Sequence, residues 1–367
     1  MTVKLVIANL KHKPMRSLLS ILLIGVPVTL ILCIVGLSHG MLEDSQRRTR
    51  GVGADIVVRP KNSSFLSLSG APILQDMVSY MAQQPHVKLA TGVINVPIEG
   101  ITLGATGVDL GAFDQMSGGF RFVEGHAFEK PNEVIIDTFY NSQHHKHAGD
   151  SINLLSHEWR ISGIFEGGKL AHVVFPLSVL QEHSGNTGKV SQIYLKLDDP
   201  ANTDSAVKYL KSIPALEDWP IYTTEELTSL LNVNNIPALR EFLLVIMSIA
   251  VIIGFAVVCL SMYMAVLQRT REIGILKSLG ASKGFILEII LAEAVLLGVG
   301  GTVLGIVMSY GAYWLIQNLV PASFPMVIVQ SWWWRAGAIT LVGAILGALY
   351  PGLSAARHDP IEALAYE

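Results

Sequence analysis

The sequence is short of charge and of cysteine. Charged residues fill 15% of its 367 positions, against roughly 25% in an average soluble domain, and the deficit is concentrated in four stretches that hold almost none. A net charge of −3 gives no electrostatic footprint for nucleic acid, so none is expected as a partner. The two cysteines, Cys33 and Cys259, fall in different apolar stretches. If both stretches cross a bilayer, a rise of ~1.5 Å per residue separates them in depth by roughly 10 Å. A disulfide tolerates at most ~7 Å between Cα atoms, so no bridge is expected and the cysteine-free region between them must rest on its own core. Catalytic signatures are missing too. There is no G-x-S-x-G, H-E-x-x-H or C-x-x-C. Gly185-Asn186-Thr187-Gly188-Lys189-Val190 lacks the glycine spacing, and the hydroxyl after lysine, of a phosphate loop. The chain is therefore expected to be no enzyme, with no ATPase, catalytic residue, cofactor or metal of its own.

What it has instead is long apolar runs, and about 20 mostly apolar residues cross a bilayer. Residues 19–38 carry no charge, with Pro27 mid-run, and 242–267 carry none. Residues 289–316 contain only Glu293, and 333–349 hold Arg335 near one end, within snorkelling reach of the interface. The first run exceeds the core of a signal peptide and precedes a poor cleavage site, so it reads as a retained span. Basic residues in short loops set orientation. Lys4, Lys11, Lys13 and Arg16 precede the first run, and Arg269, Arg271, Lys277 and Lys283 follow the second. Both termini and the 268–285 segment are expected on the cytoplasmic side.

The expected fold is an α-helical integral membrane protein with four transmembrane helices, plus an α+β extracytoplasmic domain inserted between the first and second. In order, this gives a cytoplasmic amphipathic segment (1–17), a span (18–40), the extracytoplasmic domain (41–239) and a second span (240–267). A cytoplasmic coupling loop (268–285), a third span (286–316), a short outer loop (317–332), a fourth span (333–350) and a cytoplasmic tail (351–367) follow. Alternating stretches at 54–59, 88–98, 101–108, 133–137, 152–155, 159–165 and 192–197 predict strands, and 205–212 predicts a helix. Gly149-Asp150 marks a turn. About 195 residues suffice for one domain of two lobes. Thr223 and Glu226 fit a capping box, opening a helix that should run toward the second span, with a break near Pro237. Such a helix would be a mechanical lever.

Several constellations invite a function. His144, His145 and His147 form the most tempting metal or haem site, but Lys146 opposes a cation and nothing fixes ligand geometry, so no metal is assigned. Glu288 and Glu293 stand where the third span enters the membrane. A carboxylate inside a span is a functional hypothesis by default. Both lie within a turn or two of the interface, near Lys283 and Arg269, and are read as fixing the helix position. Gly301 with Gly305, and Gly343 with Gly347, are GxxxG pairs that let helices approach closely. Most informative is 268–283, QRTREIGILKSLGASK. Ile273, Leu276 and Leu279 recur at helical spacing, charges lie mostly at the ends, and Gly280 can end the helix in a left-handed cap. This predicts a short amphipathic helix at the cytoplasmic surface, suited to docking a cytoplasmic protein. Residues 3–10 are a second amphipathic candidate.

Residues 271–282, Arg-Glu-Ile-Gly-Ile-Leu-Lys-Ser-Leu-Gly-Ala-Ser, resemble the R-E-I-G-I-L-K-A-L-G-A-S loop of the MacB/FtsX-like permeases of ABC transporters. Residues 350–364, YPGLSAARHDPIEAL, resemble that family's Y-P-A-x-x-A-A-R-x-D-P-I-E-A-L-R tail. Ala8-Asn9-Leu10, Arg16-Ser17 and Glu293 match as well, and the intervening domain matches around Gly149-Asp150 and Gly163-Ile164-Phe165. The resemblance implies a permease subunit of the mechanotransmission (type VII) kind, in a bacterial cytoplasmic (inner) membrane. In such systems a separate cytoplasmic ATPase dimer, holding ATP and Mg, drives the spans. The motion passes to the extracytoplasmic domain and exports or extracts a hydrophobic or amphipathic substrate such as a lipid, lipoprotein, haem or drug. Arg269, Arg271, Glu272, Ile273, Gly274, Leu276, Lys277, Leu279, Gly280 and Ser282 would form the ATPase contact. The implied partners are that ATPase, a second permease subunit in a homodimer or heterodimer, a periplasmic adaptor and membrane lipid. The unfused plan departs from the macrolide exporters and is closer to the LolC/LolE, DevC-like or HrtB-like branch. The rival function is a signal relay that activates an extracytoplasmic partner such as a cell-wall hydrolase. A passive membrane-anchored binding protein would have no use for the docking loop.

Overall fold

The computed structural model describes residues 14–61, 63, 73–99, 103–319 and 325–357. The expected amphipathic stretch at 3–10, the start of the strand expected at 101–108, and the tail from 358 onward lie outside the described residues.

In chain order the elements are α1 (Pro14–Gly51), β1 (Ile56–Val58), β2 (Ile73–Leu74), α2 (Asp76–Ala82), β3 (Val87–Glu99), β4 (Leu103–Val108), α3 (Leu110–Ser117), β5 (Phe122–Gly125) and β6 (Glu133–Asp137). Next come α4 (Thr138–His144), β7 (Ser151–Leu154), β8 (His157–Phe165), β9 (Val173–Pro176), α5 (Leu177–His183), β10 (Lys189–Val190), β11 (Gln192–Leu197), α6 (Thr203–Ser212), β12 (Ile221–Thr223) and α7 (Thr224–Leu230). The chain closes with α8 (Pro237–Gln268), α9 (Thr270–Ser278), α10 (Lys283–Leu319) and α11 (Ser331–Arg357). Two compact units result. One is helical, with Pro237–Ile316 and the segments ending at His39 and beginning at Met326. The other is α+β, comprising Gly40–Ile236 and Gln317–Pro325.

The α+β unit is built on a mixed sheet in the order β12-β1-β11-β3-β4-β9-β6-β8-β5, with β7 on β8. The long β3 carries two pairings. Its first half lies antiparallel to β11 and its second half antiparallel to β4. Helices cover both faces, so inner strands read as continuous apolar runs. Every residue of β6, Glu-Val-Ile-Ile-Asp, is buried. Its Val134 and Ile136 join one core with Trp159 and Phe175, while Ile135 points to the opposite face with Phe113 and Phe165, as the period of two requires. A third cluster gathers Ile56, Val58, Ile193 and Leu195 beneath Leu210 of α6. The strands expected at 133–137 and 192–197 coincide with β6 and β11. β5, β9 and β12 were not expected, being three or four residues long with no alternation to mark them.

The start of β6 carries a pH-sensitive contact. Glu133 Oε2 accepts the amides of Glu129 at 2.9 Å and Lys130 at 3.1 Å. These bonds, the Glu129 amide foremost, outweigh desolvation and hold the carboxyl below its usual range. A depressed folded value means the unfolded chain binds this proton more readily. The contact therefore stabilises fully above the unfolded value of about 4.3 and is lost as pH falls through the folded value. Thermal unfolding between pH 3 and 6 is expected to show a shallower acid loss for Glu133→Gln than for the parent; parallel profiles would exclude the contribution.

Thr223 Oγ1 accepts the Glu226 amide at 2.9 Å, as the capping box requires. The helix it opens stops at Leu230, a 3₁₀ turn follows at Val233–Asn235, and α8 starts at Pro237. Proline lacks an N–H and suits a first helical position. The lever expected on this side is thus not one helix. The unbroken helix is α1, which continues past its apolar run through Arg47, Arg48 and Arg50 to Gly51. In that extension Arg48 lies 2.7 Å from Asp44 one turn earlier.

In the helical unit, the described residues include four stretches long and apolar enough to cross a membrane: Ser17–Gly51, Pro237–Gln268, Lys283–Asn318 and Ser331–Ala356. α1 and α10 cross on glycine. A Cβ on Gly301 would fall 2.4 Å from Ile24 Cγ2, and one on Gly305 would fall 2.6 Å from Val28 Cβ. Thr29 Oγ1 lies 2.9 Å from the Gly25 carbonyl and 3.1 Å from that of Gly305, within donating reach of both. Gly347 meets α8, where its Cβ would stand 2.8 Å from the Phe255 carbonyl. Gly343 is buried but lines a cleft with Ile24, Phe255 and Val258, and among the described residues a Cβ on it would meet nothing within 4 Å, so no close approach occurs there. Gly347 alone of that pair sits on a close approach. Cys33 and Cys259 are free thiols.

Candidate functional site

The segment between α8 and α10 is shaped by local rules at both ends. Thr270 Oγ1 turns back to the carbonyls of Val266 and Leu267, at 3.2 and 2.9 Å, which satisfies acceptors at the end of α8. α9 then runs for nine residues and stops at Gly280, whose φ is +93°. The Gly280 amide bonds to Lys277 O and the Ala281 amide to Leu276 O, each at 3.0 Å. This pair of bonds is the Schellman motif, and its left-handed residue is open to glycine without a Cβ penalty. Two residues later Ser282 Oγ accepts the Phe285 amide at 3.2 Å, the bond of an N-cap. Leu-Gly-Ala-Ser thus ends one helix and begins the next, and Gly280 and Ser282 earn their place by folding.

The remaining expected residues divide by face. Gly274 is buried, Ile273, Leu276 and Lys277 are half-buried, and Glu272 is exposed. Arg271 belongs to α9. Ile273 packs with the core of Ile286, Ile290 and Ala294. Ile275 is 44% exposed and Leu279 80%. The expected stripe of Ile273, Leu276 and Leu279 is therefore broken. The helix ends at Ser278, so Leu279 caps it and leaves the inward face.

Arg269, the residue before α9, donates through Nη1 to Glu293 Oε2 at 3.3 Å, with side chains 16% and 9% exposed. Glu288 is exposed on α10, so the two carboxylates do not form one site. The ion pair borders a cleft of about 80 Å³ between α8, α9 and α10, walled mainly by Met262, Val266, Leu276, Ile286 and Ile289. Glu272 lines it as well, so the apolar walls carry two carboxylates and one guanidinium. Among the described residues no three His, Cys, Asp or Glu side chains gather as a metal site. The histidines diverge: His144 stacks on Tyr140 at 4.0 Å, His145 caps α4 at φ +50°, and His147 Nδ1 lies 3.3 Å from Glu124 Oε2.

Residues 17–213 match the MacB-like periplasmic core domain, and residues 244–360 match the FtsX-like permease C-terminal. The chain belongs to the MacB/FtsX-like permease family. The permease is 25% identical over 396 residues to the macrolide export ATP-binding/permease protein MacB of Neisseria meningitidis serogroup A, covering 98% of this chain and 60% of that protein. It is 32% identical over 207 residues to the ABC transporter permease YknZ of Bacillus subtilis, covering 54% of this chain and 50% of the relative. Against MacB of Photorhabdus laumondii it is 31% identical over 211 residues, or 32% of that protein. The permease thus spans between about a third and two thirds of the length of these relatives. The periplasmic region of MacB from Actinobacillus actinomycetemcomitans superposes with a TM-score of 0.39 at 14% identity, covering 49% of this chain and 94% of that one. The permease is a multi-pass membrane protein and a transporter component, and both the α9 segment and Glu293 lie within the second matched region.

Proposed function

We propose that the permease couples ATP hydrolysis by a separate cytoplasmic ATPase dimer, which binds ATP and Mg, to motion of its α+β domain outside the cytoplasm. The motion exports or extracts a hydrophobic or amphipathic substrate. The observation that carries this is α9: a helix stopped and restarted within four residues, anchored inward by Gly274 and Ile273 and offering Ile275 and Leu279 outward. Exposed apolar side chains on a basic loop suit a protein contact. Relatives whose names carry the words macrolide export and ATP-binding agree with an efflux role. The unbroken α1, packed on α10 through glycine, offers a stiff route for force from the coupling loop. Two ATPase subunits call for two permease subunits, and a homodimer in a bacterial cytoplasmic membrane, with both termini inside, satisfies this. A periplasmic adaptor is the expected further partner.

The topology is tested by single cysteines in a Cys33→Ser, Cys259→Ser background. In intact cells a membrane-impermeant maleimide is expected to label Glu182→Cys on α5 and to spare Ser278→Cys on α9 until the membrane is opened. Labelling of both from the same side would end the proposal.

A further inference from the structure

We propose that the Arg269–Glu293 ion pair is the positioning link through which α9 moves α10. The inference rests on the reading of α9 as the ATPase contact and adds the residues that pass its motion on. α9 is joined to α10 covalently at one end, by the tight turn through Gly280 and Ser282, and by the packing of Ile273. The ion pair supplies a further attachment, bridging 24 residues of sequence. Ser282 and Glu293 stand roughly 16 Å apart along α10 at ~1.5 Å per residue. The ion pair thus adds a polar tie at the end of α9 remote from the turn, beyond the packing of Ile273 on α10.

The packing of α9 on α10 is incomplete. The cleft of about 80 Å³ lies between Leu276 of α9 and Ile286 and Ile289 of α10, so the helices are not pressed together along this side. Ile273 lines this cleft and packs against Ile286 and Ile290, and the ion pair borders the same space. Its chemistry suits a link that must hold under load. The side chains are 16% and 9% exposed, so water offers little to compete for the bond.

The test uses the full chain in nanodiscs with its partner ATPase, comparing Arg269→Gln, Glu293→Gln and the exchanged double variant Arg269→Glu, Glu293→Arg. Three quantities are read: the affinity of the ATPase for the permease, the stimulation of ATP hydrolysis, and the spin-label distance distribution between Ser278→Cys and Val299→Cys. Glu293→Gln, outside the ATPase contact, is expected to keep ATPase affinity within about twofold, and each single variant to lose stimulation by about tenfold and to broaden the distance distribution. The exchanged pair is expected to restore both stimulation and the narrow distribution, a rescue that general destabilisation would not give. Glu293→Gln keeps shape and a hydrogen-bond acceptor, so it remains informative if a bulkier variant misfolds. Parent-like stimulation and distances in the single variants would overturn the link, as would an exchanged pair that behaves like them. If the parent chain itself fails to bind the ATPase, the docking reading fails instead, and the distance distributions still decide the link.

Discussion

Leu279→Asp is expected to abolish stimulation of the partner ATPase while leaving the permease inserted and folded. Leu279 is 80% exposed and lies beyond the last residue of α9, so its side chain holds nothing together within the chain. Substitutions at such positions usually change stability by within about 0.5 kcal/mol. A carboxylate at a helix C-terminus adds a dipole penalty of roughly 0.3–1 kcal/mol, too little to unfold a multi-span protein. At a protein contact the scale differs. Losing an apolar anchor costs about 2 kcal/mol or more, or roughly 30-fold in affinity, and Asp would in addition strand a charge in the interface. Ile275→Asp, one turn earlier, should act in the same direction. Leu276→Asp is a poorer probe, because Leu276 lines the inner cleft and its loss confounds docking with folding. The measurement is ATP hydrolysis by the ATPase with and without reconstituted permease. A parent-like rate for Leu279→Asp would remove this surface from the contact.

The second large effect separates two glycine pairs that look alike in sequence. Gly305→Val is expected to destabilise the helical unit by about 3 kcal/mol, at the upper end of the range for overpacking. Its Cβ would stand 2.6 Å from Val28 Cβ and 2.8 Å from the Gly25 carbonyl. The second of these is backbone and cannot rotate away, so α1 and α10 must separate and Thr29 loses its reach to the Gly305 carbonyl. Gly343 is buried beside a cleft that it lines with Ile24, Phe255 and Val258, and a Cβ there would meet nothing within 4 Å. Gly343→Val is therefore expected to cost at least about 1 kcal/mol less than Gly305→Val, within the ~1–3 kcal/mol range for overpacking. Thermal unfolding of both variants in the same detergent compares them directly. Equal losses would mean that the α1–α10 crossing is not the close contact described.

The four membrane-crossing helices were legible because an uncharged run of about 20 residues has no comparable alternative in a globular core. The α+β class was legible where strands are long enough to alternate, as at β3 and β11. It was not legible at β9, whose four residues are ordered by β4 and β6 on either side. The coupling segment divides in the same way. Helix, glycine stop and apolar content could all be read from residues 268–283. That Leu279 leaves the face of Ile273 and Leu276 could not, because the amphipathic pattern continues one residue past the point where the backbone turns. The pairing of Arg269 with Glu293 was foreshadowed only as a neighbourhood. How soon the helix opened at Thr223 stops, at Leu230, was not legible, because a capping box marks where a helix begins and carries no information on how far it runs.

The amino-acid sequence by itself determined what depends on near neighbours along the chain: the apolar lengths of the spans, the stop at Gly280 and the start at Ser282. Each follows from backbone geometry and hydrogen bonds within a few residues. Tertiary structure alone decided which glycines of two identical patterns sit on a close crossing, since Gly305 is judged by Val28 and Gly347 by Phe255, far away in the chain, while a Cβ on Gly343 would meet nothing within 4 Å. A contact between distant segments is a property of how helices pack, and the same local pattern serves equally well whether or not a partner is there.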